Sequence, residues 1–236
     1  MRKNGSRLIS VKQYKSTDLF VFALILAAAE ILRHFAGKWF PGGALFTFSL
    51  TVPIVLTVMM RWGWTSVLYA AASGLLVSLL GLGSATGVTG TQFAVYIIGN
   101  AFIGLMLIPT YLIGKDKIRA KWWSSALYAI GGWLCVYLGR SIIWAIAYAI
   151  APVSGLYAWT GFVTYATTDF LSLAMAVVVI LVLRRLDGLF EDQKSYLSRF
   201  DKARRDKMHY DEYGDQPIDI DEEALSILNR DNDLYD

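Results

Sequence analysis

Very little in this 236-residue sequence is equipped for covalent chemistry. It holds one cysteine, Cys135, and two histidines, His34 and His209. A lone thiol inside an apolar stretch has no disulfide partner and no metal-ligand spacing around it. The sequence contains no nucleophile elbow and no phosphate-cradling glycine loop. Gly81-Leu82-Gly83 lacks the strand and helix context of a nucleotide site. Charged residues make up only 17% of the chain. These shortages lead us to expect no enzyme, no catalytic residue, no metal and no cofactor. The first apolar run begins near Asp18 with no small-residue cleavage site behind it, so a retained helix is expected rather than a removed signal.

What the chain has in quantity is apolar sequence, 56% of its residues. About 20 apolar residues at 1.5 Å each cross a bilayer's hydrocarbon. On that measure the runs predict spans over 17–35, 44–60, 64–82, 92–113, 122–150 and 158–183. Pro53 is expected to break the second, Arg61-Trp62-Gly63 makes a tight turn into the third, and the fifth is long enough to tilt, break near Gly139 or extend beyond the hydrocarbon. Residues 1–16 carry Arg2, Lys3, Arg7, Lys12 and Lys15 without an acid. Lys115, Lys117, Arg119 and Lys121 form a second basic flank, and the other loops are nearly uncharged, the bias of cytoplasmic against outer segments. The expected fold is therefore all-α, an integral membrane bundle of six transmembrane helices in a cell membrane, both termini cytoplasmic. Its parts are a flank (1–16), the bundle (17–185), an amphipathic surface helix (186–209) and a tail (210–236). The tail holds ten acids against Arg230 alone and reads as disordered.

Ionisable groups inside apolar helices face a cavity or a partner. At 1.5 Å per residue, Glu30 lies roughly 8 Å, Asn100 about 12 Å and Asp169 about 16 Å from the outer ends of their spans. Arg140 is about 25 Å from the inner start of the fifth, again in the outer half. Four polar groups on four helices share one depth, among aromatic residues that include Trp39, Tyr96, Trp144 and Tyr165. Aromatic faces with a few directional polar groups suit a pocket for a small heteroaromatic or amide-bearing solute. The same residues also permit a structural Arg140–Asp169 pair, a snorkelling Glu30 and an interhelical hydrogen bond at Asn100.

Six spans, an alanine-rich first helix and an outer aromatic pocket resemble the S components, the substrate-binding membrane subunits of energy-coupling factor vitamin transporters. The likeness covers residues 17–185. Pro41-Gly42-Gly43 leading into Ser49, Thr51 and Pro53-Ile54, Arg61-Trp62-Gly63-Trp64 before Gly74, and the stretch 159–169 look most like the thiamine-binding type. The resemblance implies a bacterial importer subunit that captures a vitamin-like solute, thiamine or a related heteroaromatic molecule. Its partners would be a coupling transmembrane subunit, docked at Ala23 and Ala27, and two ATPase subunits. The implied ligand contacts are Glu30, Trp39, Tyr96, Asn100, Arg140, Trp144, Tyr165 and Asp169. Ala166 stands where thiamine binders show Asn, and Arg140 where they show an uncharged side chain, so a carboxylate- or phosphate-bearing ligand is equally open. Two other readings stay open: a proton-coupled secondary transporter using Glu30 or Asp169, and a membrane scaffold whose tail recruits a partner. No role with nucleic acid is expected.

Overall fold

The computed structural model describes residues 11–39, 48–81, 90–150 and 169–199, together with Trp159, Val163 and Lys202. The chain divides into two units, Met1–Tyr196 and Leu197–Asp236. The acidic tail and most of the second unit lie outside the described residues.

Among the described residues the first unit is all-α. Its helices are α1 (Val11–Trp39), α2 (Thr51–Trp62), α3 (Thr65–Gly81), α4 (Gly90–Ala101), α5 (Leu107–Ile113), α6 (Lys115–Ala120), α7 (Trp122–Ile150) and α8 (Phe170–Leu183). A 3-10 segment, Phe102–Met106, joins α4 to α5. Residues 193–199 form a further short helix.

Several elements differ from the apolar runs that predict them. Pro53 does not break a helix. It sits in the first turn of α2, where backbone N–H groups have no intrahelical acceptor and a missing one costs little. Pro109, in contrast, withdraws the N–H that the Leu105 carbonyl would receive in a continuous α-helix, and the chain tightens to 3-10 geometry just before it. Gly63, at φ +67°, ends α2 and turns the chain into α3.

The core forms around α2, all twelve residues of which are buried. Val55, Leu56, Met59 and Met60 pack with Ile103 of the 3-10 segment, Ala129 of α7, Ile180 of α8 and Phe190. Glycines set the closest helix approaches. A Cβ on Gly74 of α3 would lie 2.2 Å from the Tyr96 carbonyl oxygen, and one on Gly139 of α7 2.4 Å from that of Gly99. Backbones of α3, α4 and α7 therefore touch directly, which places the side chains of α4 against both neighbours.

Two helical stretches, Gln92–Ile113 and Trp122–Ile150, are long and apolar enough to cross a membrane among the described residues. The six-span integral membrane bundle is corrected on this point. The runs at 44–60, 64–82 and 158–183 give described helices of 12, 17 and 14 residues, about 18, 26 and 21 Å long. The first run folds into a 29-residue helix, but its acids pair inside the protein, Asp18 with Arg61 and Glu30 with Arg33. Run length alone registers neither helix ends nor internal pairing.

Buried ion pairs gather at both ends of α2. At its C-terminus Arg61, 3% exposed, holds Asp18 through Nε (2.9 Å) and Nη2 (2.6 Å), and Trp62 Nε1 donates to the same carboxylate at 2.6 Å. Arg61 Nη1 also donates to the Gly188 carbonyl. Tyr14 donates to Gln193, Arg119 pairs with Glu191 and Asp187, and Lys115 pairs with Asp192. Residues 187–193 are thereby tied to α1, α2 and α6, and Phe190 is fully buried against Tyr128.

Candidate polar binding site

The second cluster begins at the N-terminus of α2. Glu30 of α1, 1% exposed, accepts hydrogen bonds at Oε1 from Ser49 Oγ (3.0 Å) and from Thr51 Oγ1. Its Oε2 faces Arg33 Nη1 at 3.3 Å, one turn along the same helix. Ser49 N donates to Ser172 Oγ of α8 at 2.8 Å, fastening the start of α2 to α8.

Arg140 is the centre of the other half. Its Nη1 is paired with Asp169 Oδ2, its Nε donates to Asn100 Oδ1 at 2.8 Å, and its guanidinium lies over the Tyr96 ring, 5.3 Å from the centroid. Asn100 Nδ2 passes the chain on to Ser73 Oγ at 2.9 Å, and Ser73 donates to the Ala70 carbonyl at 2.7 Å. Asn100 and Ser73 have no exposed surface. Asp169 immediately precedes α8 but makes no side-chain cap there; its carboxylate goes to Arg140 and its backbone carbonyl accepts from Trp133 Nε1 at 3.0 Å. Trp133 stacks on Tyr137 with centroids 5.3 Å apart and planes at 2°.

Arg33 belongs electrostatically to both halves. Burial opposes its charge, but the Glu30 carboxylate first and Asp169 next outweigh that and hold its pKa above the ordinary guanidinium value. Two arginines thus balance two acids, as buried charges require.

Two polar atoms beside this cluster are unspent. Ser141 Oγ and Trp144 Nε1 are buried and have no hydrogen-bond partner among the described residues. Both lie on α7 within about one turn of Arg140.

The structure brings Tyr96, Asn100 and Asp169 into direct contact with Arg140, while Glu30 is paired with Arg33 and bonded to Ser49 and Thr51 in the neighbouring half. Trp144 is one turn further along α7. Tyr165 and the side chain of Trp39 lie outside the described residues. Ala23 is exposed and Ala27 half-buried. Arg33, Ser73, Trp133 and Ser172 also take part without being singled out in the sequence. Arg33 had a readable signal, its place three residues after Glu30. Ser73 and Ser172 had none, since a helical serine is as often bonded to its own backbone.

Comparison of the chain with protein-family models, with curated proteins and with solved structures finds no match. The resemblance to S components is corrected accordingly. Two helical stretches of spanning length replace six, and the buried polar residues are engaged with one another in ion pairs. The vitamin or thiamine importer, its proton-coupled alternative and the multi-pass placement in a bacterial cell membrane all depended on those six spans. They are withdrawn with them.

Proposed function

We propose that the chain is a binding protein for a small solute, held beside Arg140 and Asp169 by the α7 face that carries Trp144. One observation carries this reading: Trp144 Nε1 and Ser141 Oγ are buried and have no hydrogen-bond partner among the described residues. Leaving a polar group so costs about 1–3 kcal/mol, and native proteins rarely retain the cost without use. A ligand acceptor reaching these atoms recovers it. The neighbouring charges already balance, so a solute without net charge adds none that must be compensated. The stacked Trp133–Tyr137 pair offers a flat apolar face nearby. The role is binding rather than catalysis, because Arg140, Asp169 and Glu30 are each committed to partners.

The test is native mass spectrometry of the full chain purified without added ligands, followed by calorimetric titration of whatever is released. A stoichiometric small molecule is expected. Trp144→Phe, which removes the N–H and keeps an aromatic ring, should weaken it at least tenfold with helical content unchanged, a loss of about 1.4 kcal/mol. An empty chain, or equal affinity in the variant, would leave the cluster a device for helix packing alone.

A further inference from the structure

The two long helices leave most of their apolar length uncovered. In Gln92–Ile113 and Trp122–Ile150 the most apolar windows are only 33% and 22% buried. A helix that is apolar because it lies in a protein core would be mostly buried, and a leader segment would lie near the N-terminus; neither description fits. Along α7 the outward residues Leu134, Leu138, Ile142 and Ile146, each at least 40% exposed, repeat every four positions and make one stripe. A second stripe passes through Ile98 of α4, Leu105 of the 3-10 segment and Ile108 and Leu112 of α5, the last 81% exposed.

Two features point to what covers them. At 1.5 Å per residue the helical stretches measure about 33 and 43 Å, enough to cross the roughly 30 Å hydrocarbon of a lipid bilayer. The segment that joins them carries Lys115, Lys117, Arg119 and Lys121 against Asp116, and ends in exposed Trp122 and Trp123. Lys121 Nζ lies 5.8 Å from the centre of the Trp123 ring. Lys115 and Arg119 are paired with Asp192, Asp187 and Glu191, so the collar consists of Lys117, Lys121 and the two indoles, and lysine beside indole at the end of an apolar stripe matches the depth of lipid headgroups. A second copy of the chain would cover one face. Exposed large apolar residues occur also on α1 (Phe20, Leu32), α3 (Leu68) and α8 (Val178), more faces than a single neighbour reaches.

We infer that the outer faces of α4–α5 and α7 contact lipid acyl chains, with Lys121, Trp122 and Trp123 among the headgroups. The contact rests on these two stripes and requires no set of six crossings.

The full chain, with Cys135 replaced by Ser, takes a fluorophore at Ile142→Cys or, separately, at Lys117→Cys. It is reconstituted in vesicles of phosphatidylcholine and phosphatidylglycerol whose acyl chains are either plain or brominated. Brominated chains should quench the probe at 142 several-fold more than aqueous iodide does, and the order should reverse at 117. Circular dichroism shows whether each variant keeps its helices, and flotation of the unaltered chain with the same vesicles gives a readout free of substitutions. Iodide quenching at 142 equal to that at 117, or an unaltered chain that stays monodisperse in buffer and fails to float, would overturn the inference. So would quenching by neither agent together with a dimeric mass. None of these readouts involves the solute site.

Discussion

Asn100 uses both ends of its amide: its oxygen accepts from Arg140 Nε at 2.8 Å while its nitrogen donates to Ser73 Oγ at 2.9 Å. One fully buried side chain on α4 thus joins α7 to α3. Asn100→Leu keeps the approximate volume and removes both bonds, leaving the Arg140 Nε–H without its acceptor and the Ser73 oxygen without its donor, while Ser73 still donates to the Ala70 carbonyl. Chemical denaturation should show a loss of about 2–4 kcal/mol, at the upper end for buried bonds because one partner is charged. A loss below roughly 0.5 kcal/mol, the level of an ordinary surface substitution, would mean that water already serves these groups.

Arg140 and Asp169 should behave as a pair rather than as two residues. Arg140→Met leaves the Asp169 carboxylate, 6% exposed, buried with no cation on it and should cost about 3–5 kcal/mol. Adding Asp169→Leu removes the stranded charge and should recover most of that loss. A double-mutant cycle from thermal unfolding measures the coupling. Additive losses would show that solvent reaches the pair.

The glycine contacts predict a sharp contrast between two identical substitutions. Gly139→Ala places a methyl 2.4 Å from the Gly99 carbonyl oxygen and 2.6 Å from Phe102 Cβ, so backbone must move. Overpacking of this kind costs about 1–3 kcal/mol. Gly90→Ala meets nothing within 4 Å and should stay within about 0.5 kcal/mol of the parent. Unfolding midpoints for the two variants decide it.

Acid should weaken the tie between Asp192 and Lys115 before it reaches the core. Burial alone would raise the Asp192 pKa, but the Lys115 ammonium and the hydrogen bonds from Ser195 outweigh it and hold the pKa below its ordinary value. A depressed carboxylate contributes stability in full above its unfolded pKa and loses it as pH falls through the lower folded value. The stability difference between the parent and Asp192→Asn should therefore be constant near neutrality and shrink from about pH 4 downward. A difference independent of pH down to complete protonation would show that the Lys115 contact adds nothing.

Some of this protein is local and could be read from the sequence. Residues 122–150 are expected as a helical run that tilts, breaks near Gly139 or extends beyond the hydrocarbon, and they fold as one unbroken helix, because no proline or run of polar residues interrupts them. Arg61-Trp62-Gly63 is expected to turn, and Gly63 does so at positive φ, a conformation that glycine adopts without Cβ strain. Polar residues at a common depth on separate helices, Asn100, Arg140 and Asp169, do meet. Charges inside apolar sequence have few ways to be satisfied, so they find one another.

The number of spanning helices and the partners of each charge were decided only in three dimensions. Hydropathy reads an apolar run alike whether it lies at the wall or, as with α2, at the centre, where every residue is buried. It also assigned Glu30 to a ligand or to water, whereas Ser49, Thr51 and Arg33 surround it. Those neighbours converge because glycines at 74, 99 and 139 bring backbones together and because the start of α2 is fastened to α8 through Ser49 and Ser172. Sequence determines which groups need partners; which partners they receive depends on how closely helices distant in the chain are able to pack.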